Sequence, residues 1–381
     1  MGRLFEENED VQWMRRALVE AAKGRGSVEP NPMVGAVVVR DNALIGVGYH
    51  QQFGGPHAEI NAINEAGDRA RGSTLYVTLE PCCHFGKTPP CTDAILAAGI
   101  ARVVIAVNDP FTEVNGRGIV ALEASGLQVA IGCENAAARS LNAPYLKRLT
   151  TGMPFIVAKW AMTLDGKTAT ASGDSRWISS EQSRALVHEL RGQMDGIIVG
   201  ITTVESDDPL LTVRPPGPRT PARIVLDSSA RLPIASQLVR TAHEVPVVVA
   251  VTDRASASSR DFLLEHGCEI IAFPGQDNVP IELLLTELGR RGMTNLLVEG
   301  GGQVLGTFLD LGHVDALQVF IAPILEGGDH SRTAARGNGF PFMRDAHRLR
   351  DVEVSQVGCD VRVRGWLPQS WRARAGFDKR E

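Results

Sequence analysis

The sequence predicts two consecutive α/β domains, and three observations carry that expectation. Its 381 residues are too many for one ordinary hydrophobic core. Short apolar runs of strand length alternate with segments of helical pattern along most of the chain. The alternation breaks at "LKRLTTGMP", residues 146–154, where polar residues, a glycine and a proline place the boundary. The expected domains are therefore 1–147 and 152–368, with 369–381 a polar and basic tail expected to be disordered.

In the first domain, "DVQWMRRALVEAAKGRG" from Asp10 reads as a capped amphipathic helix with Val11, Met14, Leu18 and Ala21 on one face. "MVGAVVVRDNALIGVGYH" is a strand, an Asp-Asn turn and a second strand, which makes a hairpin. A helix follows in "HAEINAINEAG", ended by Gly67, and then the strand "TLYVTLE". Next come a helix from Thr92 to Ala98, the strand "RVVIAVN", a helix near 117–125, the strand "QVAIG" and a helix from Glu134. Alternating strands and helices after a hairpin give a helix–sheet–helix layered domain.

The second series starts with "PFIVAKWAMTLDGKTA" and continues through the strands "GIIVGI", "ARIVLD", "VPVVVAV" and "EIIAF". A helix near 280–291 leads to the strand "NLLVEGG", a helix from about 302 to 311, and "ALQVFIAPIL". Two late strands, "VEVSQVG" and "DVRVRGWL", close the domain. No internal repeat or low-complexity block interrupts the pattern.

Composition narrows the function classes. A net charge of -5 leaves no electrostatic footprint for nucleic acid, and no apolar run is long enough to cross a bilayer. The opening "MGRLFEENEDVQW" lacks the basic-then-apolar order of a secretion signal, so the expected location is cytoplasmic. The six cysteines are Cys82, Cys83, Cys91, Cys133, Cys268 and Cys359, and three of them cluster in "EPCCHFGKTPPC". Clustered cysteines in such a chain point to metal or chemistry before disulfides.

Upstream of that cluster lies "GPHAEINA". H-x-E followed by P-C and a second cysteine is the pattern of a zinc deaminase site. One imidazole and two thiolates fill three positions of a tetrahedral zinc and leave the fourth for water, whose pKa the metal would lower. A carboxylate beside the metal but not bound to it can carry the proton that ammonia needs to leave. The expected ligands are His57, Cys82 and Cys91, and Glu59 is the expected proton carrier. Cys83 is adjacent to Cys82, and neighbouring side chains in extended backbone point to opposite faces. Cys91 opens a helix, whose dipole favours a thiolate. A closed structural zinc with His84 as fourth ligand is the alternative for this cluster. Eight residues separate Cys82 from Cys91, where cytidine deaminases have two. The insertion "CHFGKTPP" carries His84 and Lys87, cations suited to a phosphate-bearing substrate.

In the second domain, "NLLVEGGGQVLGTFL" is a buried strand, a triple glycine and a helix. Such a loop offers backbone N–H groups to a phosphate. It lacks the G-x-G-x-x-G fingerprint of a Rossmann dinucleotide domain.

These motifs resemble the bifunctional riboflavin-biosynthesis deaminase–reductase family. "PNPMVGAVVV", "HAE" and "EPCCHFGKTPPC" resemble its deaminase half, "KWAMTLDGKTATASGDSRWIS" and "LLVEGGG" its reductase half, and the match runs over roughly residues 10 to 368. The resemblance implies a cytidine-deaminase-like three-layer domain followed by a dihydrofolate-reductase-like α/β domain. It implies zinc-dependent deamination of a phosphoribosylamino-pyrimidine, then NADPH reduction of the ribosyl group to ribityl. It places Asn31, His84 and Lys87 at the first substrate, and Lys159 and Asp207 at the reacting sugar. Ser175, Arg191, Leu211, Arg214 and Glu299 would bind the second substrate. Ala161, Trp177, Thr203, Asp207, Ser228, Gly301, Gly302, Gln303, Val304, Leu305, Gly306 and Thr307 would hold NADPH. One departure is "NDPFTEVNGRG", where Phe111 stands in place of the family's usual Asn and puts contacts from Asp109 and Asn115 in doubt. The expected partner is a small-molecule substrate, with no nucleic acid and no membrane, in a homo-oligomer. Two other hypotheses compete: a nucleobase or tRNA deaminase carrying a binding module, and a zinc-stabilised sensor without turnover.

Overall fold

A two-residue apolar repeat in the first strands decides how the first domain layers. The computed structural model describes residues 9–85, 89–369, 371, 372 and 375. β1 (Gly35–Arg40) and β2 (Ala43–Tyr49) form the predicted hairpin, joined by Asp41 and Asn42 at φ 49° and 57°. That left-handed pair matches the twist of a tight hairpin, and Asp and Asn tolerate it. β3 (Thr74–Val77), β4 (Arg102–Ile105) and β5 (Gln128–Ile131) extend the sheet in the order β2-β1-β3-β4-β5. β1 is antiparallel to β2 and β3, and β3, β4 and β5 are parallel.

Ala36, Val38, Leu75, Val77, Val103 and Ile105 enter one core, and Val37, Val39, Tyr76 and Val104 enter the other. Helices cover both faces. α1 (Glu9–Ala22) lies on one side, with Met14, Ala17 and Ala21 fully buried. Asp10 is inside this helix, not its cap, and its carboxylate accepts from Tyr76 Oη at 2.8 Å and pairs with Arg102 at 2.8 Å. α2 (Ala58–Ala66), α3 (Cys91–Ala97) and α4 (Arg117–Ala124) cover the other side. α5 (Asn135–Leu141) and α6 (Ala143–Thr151) follow.

α6 departs from the sequence expectation. The helix continues through the polar run from 146, four residues past the expected end of the first domain at 147, and the division falls between Thr151 and Gly152, inside the expected 146–154 segment and at the expected start of the second domain.

The second unit is built on a nine-stranded sheet. Its strands are β6 (Phe155–Thr163), β8 (Gly196–Gly200), β9 (Ala222–Leu226), β10 (Val247–Thr252), β11 (Glu269–Phe273), β12 (Asn295–Val298), β13 (Ala316–Ala322), β15 (Arg350–Val357) and β16 (Asp360–Trp366). β7 (Lys167–Ala169) and β14 (Arg332–Thr333) pair separately. The sheet order is β11-β10-β9-β8-β12-β6-β13-β16-β15, parallel except where β16 meets β13 and β15. Central strands such as "GIIVG" and "VVVAV" are apolar on both sides because one core lies above the sheet and another below.

The helices are α7 (Glu181–Arg191), α8 (Ile201–Asp207), α9 (Gln237–Arg240), α10 (Ala257–Glu265), α11 (Ile281–Arg290) and α12 (Gly302–Asp310). α7 starts where Ser180 Oγ accepts from Ser183 N, a serine cap that the sequence reading passed over. The expected tail is ordered at its start. Trp371 is buried, and its indole donates to Asp315 Oδ1 at 2.7 Å. Residues 370, 373, 374 and 376–381 lie outside the described residues.

α2 can lie directly on β2 because two positions of that strand have no side chain. A Cβ on Gly46 would stand 2.2 Å from the Ala62 carbonyl oxygen, and one on Gly48 would stand 2.2 Å from that of Ala58. Gly48→Ala must therefore push α2 off the sheet. The expected cost is about 1–3 kcal/mol in chemical denaturation, together with weakened metal retention, since α2 starts beside His57. Wild-type stability and metal content in this variant would refute the argument.

Candidate active sites

Three separate segments deliver a nitrogen and two sulfurs to one point. His57 is the N-cap of α2, Cys91 is the first residue of α3, and Cys82 lies on the extended run beyond β3. His57 Nδ1 is 3.2 Å from Cys91 Sγ and 3.5 Å from Cys82 Sγ, and the Cys91 amide donates to Cys82 Sγ at 3.3 Å. All three ligand atoms lie within 4.8 Å of one another.

The thiols share one environment with opposite effects. A hydrogen bond with the Cys91 thiol, reinforced by His57, holds Cys82 well below the usual thiol range. The same bond and burial push Cys91 up. The bond to Cys82 raises His57 in turn. Two soft cysteine sulfurs with an imidazole are a donor set that suits zinc, which binds such sulfurs as thiolates.

Glu59, the second residue of α2, is buried, and desolvation raises its carboxyl pKa. The Cys83 thiol lies 3.8 Å from the Glu113 carbonyl oxygen and takes no part in the cluster. His84 also stands outside it: Nε2 faces Glu113 at 3.4 Å. Among the described residues, no fourth protein ligand closes the site as the structural-zinc alternative requires.

A cavity of about 350 Å³ opens onto this cluster and is lined by Asn31, His50, His57, Glu59, Cys82, His84, Asp109 and Phe111, with Tyr145, Arg148 and Leu149 from α6. Asn31 Nδ2 is 3.3 Å from His50 Nε2, while His50 Nδ1 faces the Pro56 carbonyl oxygen at 3.1 Å. The His50 proton therefore sits on Nδ1, and Nε2 accepts from Asn31. Lys87 lies outside the described residues.

The loop placed in doubt by Phe111 is tightly organised. Glu80 accepts four backbone N–H groups, from Asp109, Gly116, Gly118 and Ile119, at 2.9 to 3.3 Å. Asp109 reaches the cavity wall and accepts from Tyr145 Oη at 2.9 Å, and burial raises its carboxyl to about 6. Asn115 is exposed and does not line the cavity. His50, Glu80 and Tyr145 were not singled out in the sequence, where no short motif contains them.

The second unit holds a cavity of about 1150 Å³. Lys159, Ala161, Ser175, Thr203, Asp207, Ser228, Glu299, Gly301, Gly302, Gln303, Val304, Leu305 and Thr307 all line it. Burial lowers the Lys159 pKa and raises that of Asp207. Gly301 caps α12, and its amide donates to Thr203 Oγ1 at 2.9 Å, which ties the glycine loop to α8. Four arginines absent from the sequence-derived set, Arg231, Arg254, Arg332 and Arg336, also line this cavity. They come from loops and one short strand without a shared motif.

Five expected residues do not line it. Arg191 is engaged by Glu299 through Nε and Nη2 at 2.7 and 2.6 Å, in a largely buried pair. Burial pushes Glu299 up, but Arg191 outweighs it and holds the carboxylate low. Leu211 is buried in the apolar core. Arg214 is exposed, with Nη1 3.1 Å from Thr212 Oγ1. Trp177 is 68% exposed, and the Arg184 guanidinium stacks 4.5 Å from its ring. Gly306 faces the Arg336 backbone, where a Cβ would collide with the carbonyl oxygen.

Comparison with known proteins agrees with both halves. Residues 7–107 match the cytidine and deoxycytidylate deaminase zinc-binding region, and residues 154–363 match the RibD C-terminal domain. The chain is 42% identical over 353 residues to the riboflavin biosynthesis protein RibD of Aquifex aeolicus, covering 92% of this chain and 97% of that protein. It is 40% identical over 366 residues to the Escherichia coli protein of the same name, covering 93% and 98%. The solved Acinetobacter baumannii RibD superimposes with a TM-score of 0.85 at 36% identity, covering 96% of this chain and 100% of that one. A Thermotoga maritima structure described as a diaminohydroxyphosphoribosylaminopyrimidine deaminase/5-amino-6-(5-phosphoribosylamino)uracil reductase gives 0.83 at 35% identity, covering 95% and 99%.

Fold and site thus define a bifunctional enzyme, a zinc-dependent deaminase followed by an NADPH-dependent reductase. The chain belongs to the RibD family of riboflavin biosynthesis. No helix among the described residues is long and apolar enough to cross a membrane.

The thiol geometry yields a direct test. Cys82→Ser and Cys91→Ser should each lower zinc retention by about tenfold or more, whereas Cys83→Ser should keep the wild-type content, measured by elemental analysis after dialysis. Equal zinc loss in all three would remove the distinction between Cys83 and its neighbours.

Proposed function

We propose that the first unit deaminates a diaminohydroxyphosphoribosylaminopyrimidine and that the second reduces the ribosyl group of the resulting amino-phosphoribosylamino-uracil to ribityl. The observation that carries this reading is a buried carboxylate, Glu59, beside a His-Cys-Cys donor set in one cavity. His57, Cys82 and Cys91 would hold zinc, which when bound supplies a Lewis acid that makes water a competent nucleophile at neutral pH. Glu59 takes one proton from the attacking water at its carboxylate and gives it to the ring nitrogen; it then takes the remaining hydroxyl proton of the tetrahedral adduct and passes it to the departing amine, so that ammonia leaves as the carbonyl forms. Asn31 and His84, with Lys87, orient the substrate.

In the second unit, NADPH supplies hydride, and the Gly301–Thr307 loop and helix, with Ala161, Thr203 and Ser228, would hold it. Lys159 and Asp207 reach the same cavity and are assigned to the reacting sugar, Lys159 as the proton donor to its ring oxygen. Ser175 and Glu299 bind substrate in that cavity, and Arg191 fixes the Glu299 carboxylate. Leu211, Arg214, Trp177 and Gly306 do not line the cavity and carry no role in this reading.

A reducing, cytoplasmic setting suits a site that needs both cysteines as thiols, and none of the six is in a disulfide. A homo-oligomer agrees with the outer strand β15, whose Val352 and Val354 are exposed. The nucleic-acid and sensor hypotheses are less economical, since neither uses both cavities.

Two variants separate the chemistries. Glu59→Gln should reduce ammonia release by about 10²–10⁴-fold while zinc stays bound and NADPH oxidation with pre-deaminated substrate persists. Lys159→Met should do the reverse, stopping NADPH oxidation by a similar factor and sparing ammonia release. Deamination at the wild-type rate in Glu59→Gln would sink the first assignment, and unchanged NADPH oxidation in Lys159→Met the second.

A further inference from the structure

The helix that runs through the expected domain boundary forms a wall of the deaminase cavity. Tyr145, Arg148 and Leu149 occupy positions i, i+3 and i+4 of α6, one helical face, and all three line the cavity that contains Glu59 and Cys82. Leu146 and Lys147, off that face, are buried at 1% and 3%.

Two anchors fix this face against the loops that carry other cavity residues. Asn142, immediately before α6, accepts from the Met33 amide at 2.8 Å and donates to the Met33 carbonyl at 2.9 Å. That exchange ties the helix to the "PNPM" segment bearing Asn31. One turn further on, Tyr145 Oη donates to Asp109 Oδ1 at 2.9 Å.

The charge of the cavity makes the position of Arg148 informative. Glu59, Glu80 and Asp109 all contribute carboxyl groups to its wall, and Glu80 is engaged by four backbone amides. Among the described lining residues, Arg148 is the one lysine or arginine. A phosphate monoester entering such a wall needs a permanent cation, and a guanidinium offers two parallel N–H donors matched to phosphate oxygens.

We propose that Arg148 binds the phosphate of the deaminase substrate, so that the last helix of the first unit belongs to that unit's active site. The assignment rests on the reading that this unit deaminates a phosphoribosylamino-pyrimidine. Arg148 is a binding residue here and takes no part in proton transfer, which stays with Glu59.

The test compares the phosphorylated substrate with its dephosphorylated nucleoside, following ammonia release in the full chain. Arg148→Ala should lose about 10- to 100-fold in kcat/KM for the phosphorylated compound, mostly through KM, and less than about threefold for the nucleoside. Zinc content should match wild type, and Arg148→Gln supplies the same readout should the alanine variant fold poorly. Equal losses on both compounds would overturn the proposal, as would undiminished kcat/KM for the phosphorylated one. If wild type released ammonia from neither compound, the functional reading itself would fall and take this assignment with it; wild-type turnover with equal losses in the variants would sink the phosphate role alone.

Discussion

The close approach of α2 to β2 is the constraint on which the deaminase half depends. Helix axes usually stand off a sheet by the thickness of the side chains between them. Here Gly46 and Gly48 remove that spacer, and the Ala58 and Ala62 backbone lies against the strand. The helix start, with His57 as its cap and Glu59 behind it, is thereby set at a fixed depth relative to the end of β3. The run beyond β3 brings Cys82, and α3 opens with Cys91. A metal ligand set tolerates only tenths of an ångström in each donor position. The three segments bring their donor atoms within 4.8 Å of one another because they are all indexed to the same sheet.

Much of this was legible in the sequence because its carriers are local. The hairpin was announced by an Asp-Asn pair between apolar runs, and the His57, Cys82 and Cys91 cluster by residue types that rarely gather for another reason. The choice of Cys91 over Cys83 followed from extended-chain alternation and a helix start. α6 was not legible. Its polar residues looked like a linker, since Arg148 serves a cavity and not an apolar core, and the Gly and Pro that follow do end the unit. The Arg191–Glu299 pair was hidden for a different reason. Its partners are 108 residues apart, so nothing near Arg191 shows that its guanidinium is already taken. The four cavity arginines of the second unit share no spacing and emerge only when their loops are folded together.

The two cavities solve different electrostatic problems. The deaminase cavity is small and carries several carboxyls, and its carboxylate Glu80 is committed to holding a loop. The reductase cavity is about three times as large and lined by arginines, as expected where two anionic ligands must lie side by side. Within it, the Arg191 guanidinium neutralises the Glu299 carboxylate at short range.

The Asn142–Met33 exchange has a consequence for how the chain could be divided. Gene fission and domain transplantation work best where few backbone bonds cross the cut. A cut at residue 147 looks natural from composition, but it would leave Asn142 and Tyr145 on a truncated helix and carry Arg148 and Leu149 away with the other product. The break between Thr151 and Gly152 keeps that helix whole. A free-standing deaminase derived from this chain is therefore better ended at Thr151, and a recombination junction placed four residues earlier would exchange part of a pocket while seeming to exchange a linker.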